Sequence, residues 1–393
     1  MHRLIYFAYT IMIATAGVTF VFLEDLETEF GLPSWGVGLI ASVGFLTAVI
    51  SAVLISPLGD LGKLNELAFV SFVTSIVGNI AFAFADGLWL LVGGRALSGI
   101  GAGIFAVVAR KALIGEATND SGEKLGVLIS AAVAGFIGGP AIGALLSEFG
   151  GLATPFLVLS VFLALIAIPT MQWIRSAPIA VTESIGFGAT RSLIKKPGVR
   201  AALAAQIAVF FNIGVFDATV DEYLTDLGVS NVGVSVVIAI VGAPLLFIPK
   251  FAGRYVDRSA RPADIMLIAL LLFVPIVITL GLWTGVAVFV GLAVIQTCLE
   301  STMFPGAARV VVNETGAEQS ATGTGLLDAG GNLAAAVSAF VGPIAYDLTD
   351  GPLGSFGMSG TFAALMLLLG WWSIRQRDED ATATPQDMAV PKA

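Results

Sequence analysis

Apolar runs of about twenty residues, the length a helix needs to cross a bilayer, recur along the whole chain between short polar stretches. Twelve runs qualify: 4–23, 35–56, 65–84, 88–109, 125–147, 152–174, 201–222, 232–252, 264–282, 285–304, 320–345 and 355–374. The first is longer than a signal-peptide core and lacks a cleavage site, so it is read as a retained span. No connection is long enough for a soluble domain. The predicted fold class is an all-α polytopic membrane protein of twelve transmembrane helices.

The polar stretches orient the spans, because basic residues stay on the cytoplasmic side. With both termini cytoplasmic, 18 of the 19 Lys and Arg residues fall on that side, and Arg95 is the remainder. The opposite connections hold acids: Glu24, Asp25, Glu27, Glu29, Asp86, Asp221, Glu222 and Asp226. The stretch 175–200, with Pro178, Pro197 and five basic residues, divides the chain into a bundle at 1–174 and another at 201–376. Residues 377–393 are polar, contain Pro385 and Pro391, and are expected to form a disordered tail.

The two halves echo each other. A shift of 197 carries Gly31 onto Gly228, Gly36 onto Gly233 and Asp60 onto Asp257. A shift of 199 carries Arg110 onto Arg309, and one of 203 carries Gly139-Pro140 onto Gly342-Pro343. Six spans per half keep both halves in one orientation, so the expected architecture is two pseudo-symmetric six-helix bundles.

Composition agrees. Apolar residues make up 57% and charged residues 12%, with a net charge of −9, against about 25% charged residues in soluble chains. The charge reflects acidic loops and an acidic tail rather than a nucleic-acid partner. One cysteine, Cys298, excludes an internal disulfide framework or a multi-cysteine zinc site. The one histidine, His2, is terminal, so proton chemistry at depth falls to carboxylates. No nucleophile elbow, metal cluster or phosphate loop suggests an enzyme, and no metal is expected.

Three motifs carry more specific information. Gly253-Arg-Tyr-Val-Asp257-Arg258-Ser-Ala-Arg261 joins spans eight and nine, with a weaker copy from Ser56 through Asp60 to Lys63. Its Asp can pair with a neighbouring Arg and latch one conformation. Span four holds Arg95 followed by Gly99, Gly101 and Gly103, with Arg95 about 10 Å below the outer surface. A charge at that depth either snorkels outward or faces a cavity, and it is expected to do the second. Span five spaces Gly126, Gly135, Gly139-Pro140 and Gly143, which bares one helix face, permits a bend at Pro140 and is expected to let the two halves slide past each other.

Together with the six-plus-six layout, these motifs resemble those of the major facilitator superfamily across nearly the whole chain. The span-five spacing resembles the drug:proton antiporter branch, with Ala144 in place of a final Gly. The resemblance implies rocking of two bundles about a central cavity lined by spans one, seven, ten and eleven. Cavity residues would then include Tyr9, Thr15, Gln206, Phe210, Asn212, Gln296 and Asn332. Aromatic groups among few polar ones suit a lipophilic or amphipathic solute.

Glu300 and Asp328 are the deepest acids and the expected proton carriers, with Arg95 tuning the site. Asp217 lies at a depth comparable with Arg95 and is a candidate partner for it, as are Glu24 and Asp25. The expected function is proton-coupled export of a small solute by a monomer in the cytoplasmic membrane. The proton gradient would be its only energy source, with no cofactor. The alternatives are an importer, symporter or uniporter of a sugar or carboxylate on the same fold, and then a channel or membrane sensor.

Overall fold

The structure, a computed structural model, describes residues 3–60, 63–115, 121–176, 192–282 and 285–383. Side chains are not described at 56–60, 114–115, 121–126, 129, 316–322 and 378–383. The surroundings of Asp60 and Gly126, linker residues 177–191 and tail residues 384–393 therefore lie outside the described residues.

Twelve helices among the described residues are long and apolar enough to cross a membrane. Spans one to six are Arg3–Phe20, Ser34–Ile55, Leu64–Ala83, Leu88–Leu113, Ser130–Ser147 and Ala153–Arg175. Spans seven to twelve are Pro197–Asp226, Asn231–Arg258, Pro262–Leu280, Val286–Thr315, Gly323–Leu348 and Pro352–Arg377. Helices close their backbone hydrogen bonds internally, which hydrocarbon requires. Spans seven, nine and twelve start on proline, whose missing N–H is no loss in a first turn. Helix continues unbroken from span ten into span eleven, yet the chain doubles back there. A Cβ on Gly323 would collide with Val311.

The repeat is visible in the backbone. Gly31 and Gly228 both have positive φ, 58° and 78°. Each ends a helix with the same long bond, Leu32 N–H to Glu27 O and Val229 N–H to Leu224 O, both 3.0 Å. Only glycine takes that left-handed position without strain. Packing repeats as well. The bared face of span five lies on span one, with Gly135 against Thr10 and Gly139 against Ala14. In the second bundle span eleven lies on span seven, with Gly330 against Leu203 and Gly331 against Phe210.

Three features differ from expectation. Span one stops at Phe20, and the acids that follow sit on a separate short helix, Leu23–Phe30, rather than in a loop. The last helix continues to Ala383, into the stretch read as a disordered tail. Its Arg, Gln, Asp, Glu and Ala residues include good helix formers with no internal proline. Finally, the glycine face of span five packs within its own bundle and not between the bundles. Close approach to span one consumes that face.

The bundles meet along spans two and eleven, and along spans five and eight. Gly38 of span two abuts the Phe340 carbonyl, where a Cβ would not fit. Ser235 Oγ donates to the Pro140 carbonyl at 3.0 Å. One buried apolar cluster joins the bundles at the side away from the termini, hereafter the far side. At the side of the termini the second bundle keeps a separate core. The gap between the bundles there leads into the site.

Candidate functional site

A cavity of about 610 Å³ lies between the bundles, with mostly apolar walls. Five expected cavity residues line it: Tyr9, Thr15, Phe210, Gln296 and Asn332. Arg95, Asp217, Glu300 and Asp328 line it too. Two expected residues do not. Gln206 is buried in span seven and is not among the lining residues. Asn212 is fully buried behind the wall and acts through Glu300.

Arg95 turns inward. Its side chain is buried, and its Cζ sits 5.5 Å from the ring centre of Phe20. Gly44 of span two makes room for the guanidinium, because a Cβ there would fall 3.1 Å from Cζ. None of the expected acidic partners reaches Arg95. Asp25 accepts from Asn231 Nδ2 at 2.6 Å, and the Glu24 amide donates to Asp221 Oδ2 at 3.1 Å. Asp217 makes no hydrogen bond among the described residues, and its Oδ2 is buried without a partner. The ring face of Phe20 takes the acid's place beside Arg95.

Glu300 is 3% exposed and belongs to a buried network. Its Oε1 accepts from Asn212 Nδ2 at 3.1 Å and from Gln296 Nε2 at 3.2 Å. Ser359 Oγ donates in turn to Asn212 Oδ1 at 3.0 Å, which fixes the amide. Both donors meet one carboxylate oxygen, leaving Oε2 open to a proton without disturbing either bond.

Asp328 departs from expectation. It is half exposed, not deeply buried, and pairs with Arg110 Nη2 at 3.3 Å, which ties the bundles together at the cavity mouth. Counting rise along a helix gave its depth but not its exposure at the mouth of the cavity. Arg309, the second-bundle counterpart of Arg110, instead pairs at 3.7 Å with Asp257 of the Gly253 motif, inside its own bundle. Arg261 of that motif meets Asp264 at 3.7 Å, and Gly253 faces Pro305.

Several site residues were not singled out from sequence as functional. Arg110 carried a signal only as the repeat of Arg309. Phe45, Phe136, Phe216 and Phe304 line the cavity, but nothing separates them in sequence from the other 22 phenylalanines. Ser359 had no signal at all.

Outside the cavity, on the far side, the carboxylates of Glu24, Glu27 and Glu222 come within 4.8 Å of one another. Burial first, then the charges of Glu24 and Asp347, push the Glu27 carboxyl from 4.5 up to about 7. Burial, followed by Asp226 and Asp25, also raises Glu24. Such a gathering of acids does not by itself define a metal site.

The Major Facilitator Superfamily profile matches residues 5–204 and again 202–392, one match per bundle. The "Multi-drug resistance efflux pump PmrA homolog" of Lactococcus lactis is 26% identical over 256 residues, 60% of this chain and 61% of that protein. The human "Synaptic vesicular amine transporter" is 29% identical over 149 residues, covering 37% of this chain and 28% of the transporter. These matched stretches span less than two thirds of the relatives' lengths. Among solved structures, a bacterial homolog of the human lysosomal transporter Spinster, inward-facing and occupied, superposes with a TM-score of 0.76 at 13% identity. That match covers 95% of this chain and 96% of the other. The xylose transporter XylE of E. coli, partially occluded and inward open, gives 0.73 at 14% identity, covering 100% and 99%. At such identities the likeness shows the fold alone.

Proposed function

This chain belongs to the major facilitator superfamily, a family of transporters and not of enzymes, and on that premise we propose that it exports small lipophilic or amphipathic solutes in exchange for protons. The observation that carries this reading is Glu300, a buried carboxylate with one open oxygen on the wall of a largely apolar cavity between the bundles. The multi-drug efflux relatives support the direction. The basic residues on the side of the termini support placing that side in the cytoplasm. The cavity is built within one chain, which suits a monomer in the cytoplasmic membrane.

In this cycle the solute enters from the side of the termini and lies among the cavity rings. Closure brings the Arg110–Asp328 tie fully between the bundles. The far side parts, breaking the Asp25–Asn231 and Glu24–Asp221 contacts, and the cavity meets the outside. A proton reaching Glu300 Oε2 neutralises the wall and favours return. Downhill proton entry then drives solute out, with the gradient as the energy source.

The test is transport in proteoliposomes under an imposed pH gradient, using a fluorescent lipophilic dye. Parent protein should accumulate dye against its gradient on the proton-rich side. Glu300→Gln should lose this accumulation yet keep dye exchange across equal pH. Full gradient-driven accumulation by Glu300→Gln would overturn the assignment. Dye uptake in the same direction as protons would make the protein an importer.

A further inference from the structure

A basic and an acidic side chain line the same cavity without meeting. On the first bundle's wall, Arg95 is 4% exposed, its Nε is buried without a partner, and among the described residues its guanidinium makes no hydrogen bond or ion pair. On the second bundle's wall, Asp217 likewise has neither. Charges held away from water are normally paired, because an unpaired one is expensive. These two would satisfy each other if they touched, but they stand on opposite walls. Each charged wall is also aromatic. Phe20, Phe45 and Phe136 form one group beside Arg95, and Phe210, Phe216 and Phe304 line the other wall.

Glu300 differs from both, since Asn212 and Gln296 occupy its Oε1. The acid available to a ligand is therefore Asp217, while Glu300 keeps the proton role.

We infer that the preferred occupant is an amphipathic zwitterion: an aromatic body with a carboxylate for Arg95 at one end and an ammonium for Asp217 at the other. The guanidinium fork matches a carboxylate in two parallel bonds. An ammonium supplies donors that Asp217 lacks. A neutral lipophile leaves both wall charges unsatisfied, and a simple cation leaves Arg95 so. A zwitterion alone satisfies both and ties one bundle to the other, so its binding energy acts on the gap that must close.

This inference names the substrate class of the proposed exporter and rests on that reading. The probes are four biphenyls. The first carries an aminomethyl group at one para end and a carboxylate at the other. The second is its methyl ester, the third its N-acetyl form, and the fourth has both caps. Binding to the purified full-length protein is measured by calorimetry. The zwitterion should bind at least roughly tenfold tighter than either singly capped form, the scale of one charged hydrogen-bonded contact. Arg95→Gln should lower the zwitterion to the level of the ester and leave the ester unchanged. Asp217→Asn should do the mirror image with the N-acetyl form, and Arg95→Lys should restore part of the loss. Equal binding of the zwitterion and the doubly capped form by the parent would overturn the inference. So would an Arg95→Gln variant that weakens every probe alike. If the binding order holds but no probe crosses proteoliposomes, it is the export reading that fails.

Discussion

The two ends of the cavity are closed by different physics. At the far side the bundles share one apolar core, and backbone touches backbone where Gly38 meets Phe340. Among the described residues three hydrogen bonds cross between the bundles there, and two of them end on acids, Asp25 and Asp221. The connections on that side contain no Lys or Arg. At the side of the termini the cores are separate, and the half-exposed pair Arg110–Asp328 spans the mouth. One end is sealed by packing that a single methyl group can spoil. The other is tied by charges that water already screens. The packed end should therefore be the sensitive one to mutation and to pH.

The largest effect is expected from Gly38→Ala. Alanine normally favours a helix over glycine, but here its Cβ would run into the Phe340 carbonyl. Overpacking of about 1–3 kcal/mol should lower the closed-to-open ratio of the far side by roughly five- to 150-fold. Spin labels at Thr28 and Asp350, in a background with Cys298 replaced, should report longer distances and slower transport. Unchanged distances would mean that the far side is not sealed by this contact.

Next comes Asn231→Ala, which removes the donor to Asp25 and leaves that acid without its partner. A loss of about 1 kcal/mol should shift the same label distances by a several-fold change in population. Asn231→Asp should do worse by adding another negative charge.

The third effect is pH. Glu27 holds its proton up to about 7 in the closed arrangement, against 4.5 in water. Below about 4.5 it is protonated either way, and pH has no leverage. Between these values it is protonated when closed and ionised when open, so rising pH progressively weakens closure. Above about 7 the penalty is complete. Label distances should therefore lengthen across that window and then level off, and Glu27→Gln should flatten the curve. A parent whose distances ignore pH would remove this part of the comparison.

The smallest effect is expected at the other end. Exposed ion pairs contribute about 0–1 kcal/mol, so Arg110→Ala should alter transport by no more than a few-fold. The exchanged pair Arg110→Asp with Asp328→Arg should recover it. A large, unrecovered loss would make this pair part of the site and not a tie.

The asymmetry between Arg110 and Arg309 shows where the sequence stops being informative. The two match by a shift of 199, yet one reaches across to Asp328 and the other stays with Asp257. Repeats specify local backbone, as Gly31 and Gly228 show by ending equivalent helices alike. A long flexible side chain chooses among whatever acids surround it, and those come from distant parts of the chain.

Span number, helical class, the repeat and the acidic far side followed from sequence alone. Each is a property of segments: the length of an apolar run, the sign of a loop, the conformation only glycine takes. The facing of Arg95 inward was also legible, since a charge in hydrocarbon needs a reason to be there. What the tertiary structure decided was who meets whom. It set Asn212 behind Glu300 and moved Gln206 out of the cavity. It drew Asp328 to Arg110 and left Arg95 and Asp217 apart on opposing walls. Hydropathy measures how deep a residue lies along its helix. Rotation about the helix axis and the choice of partner depend on packing between segments as much as two hundred residues apart.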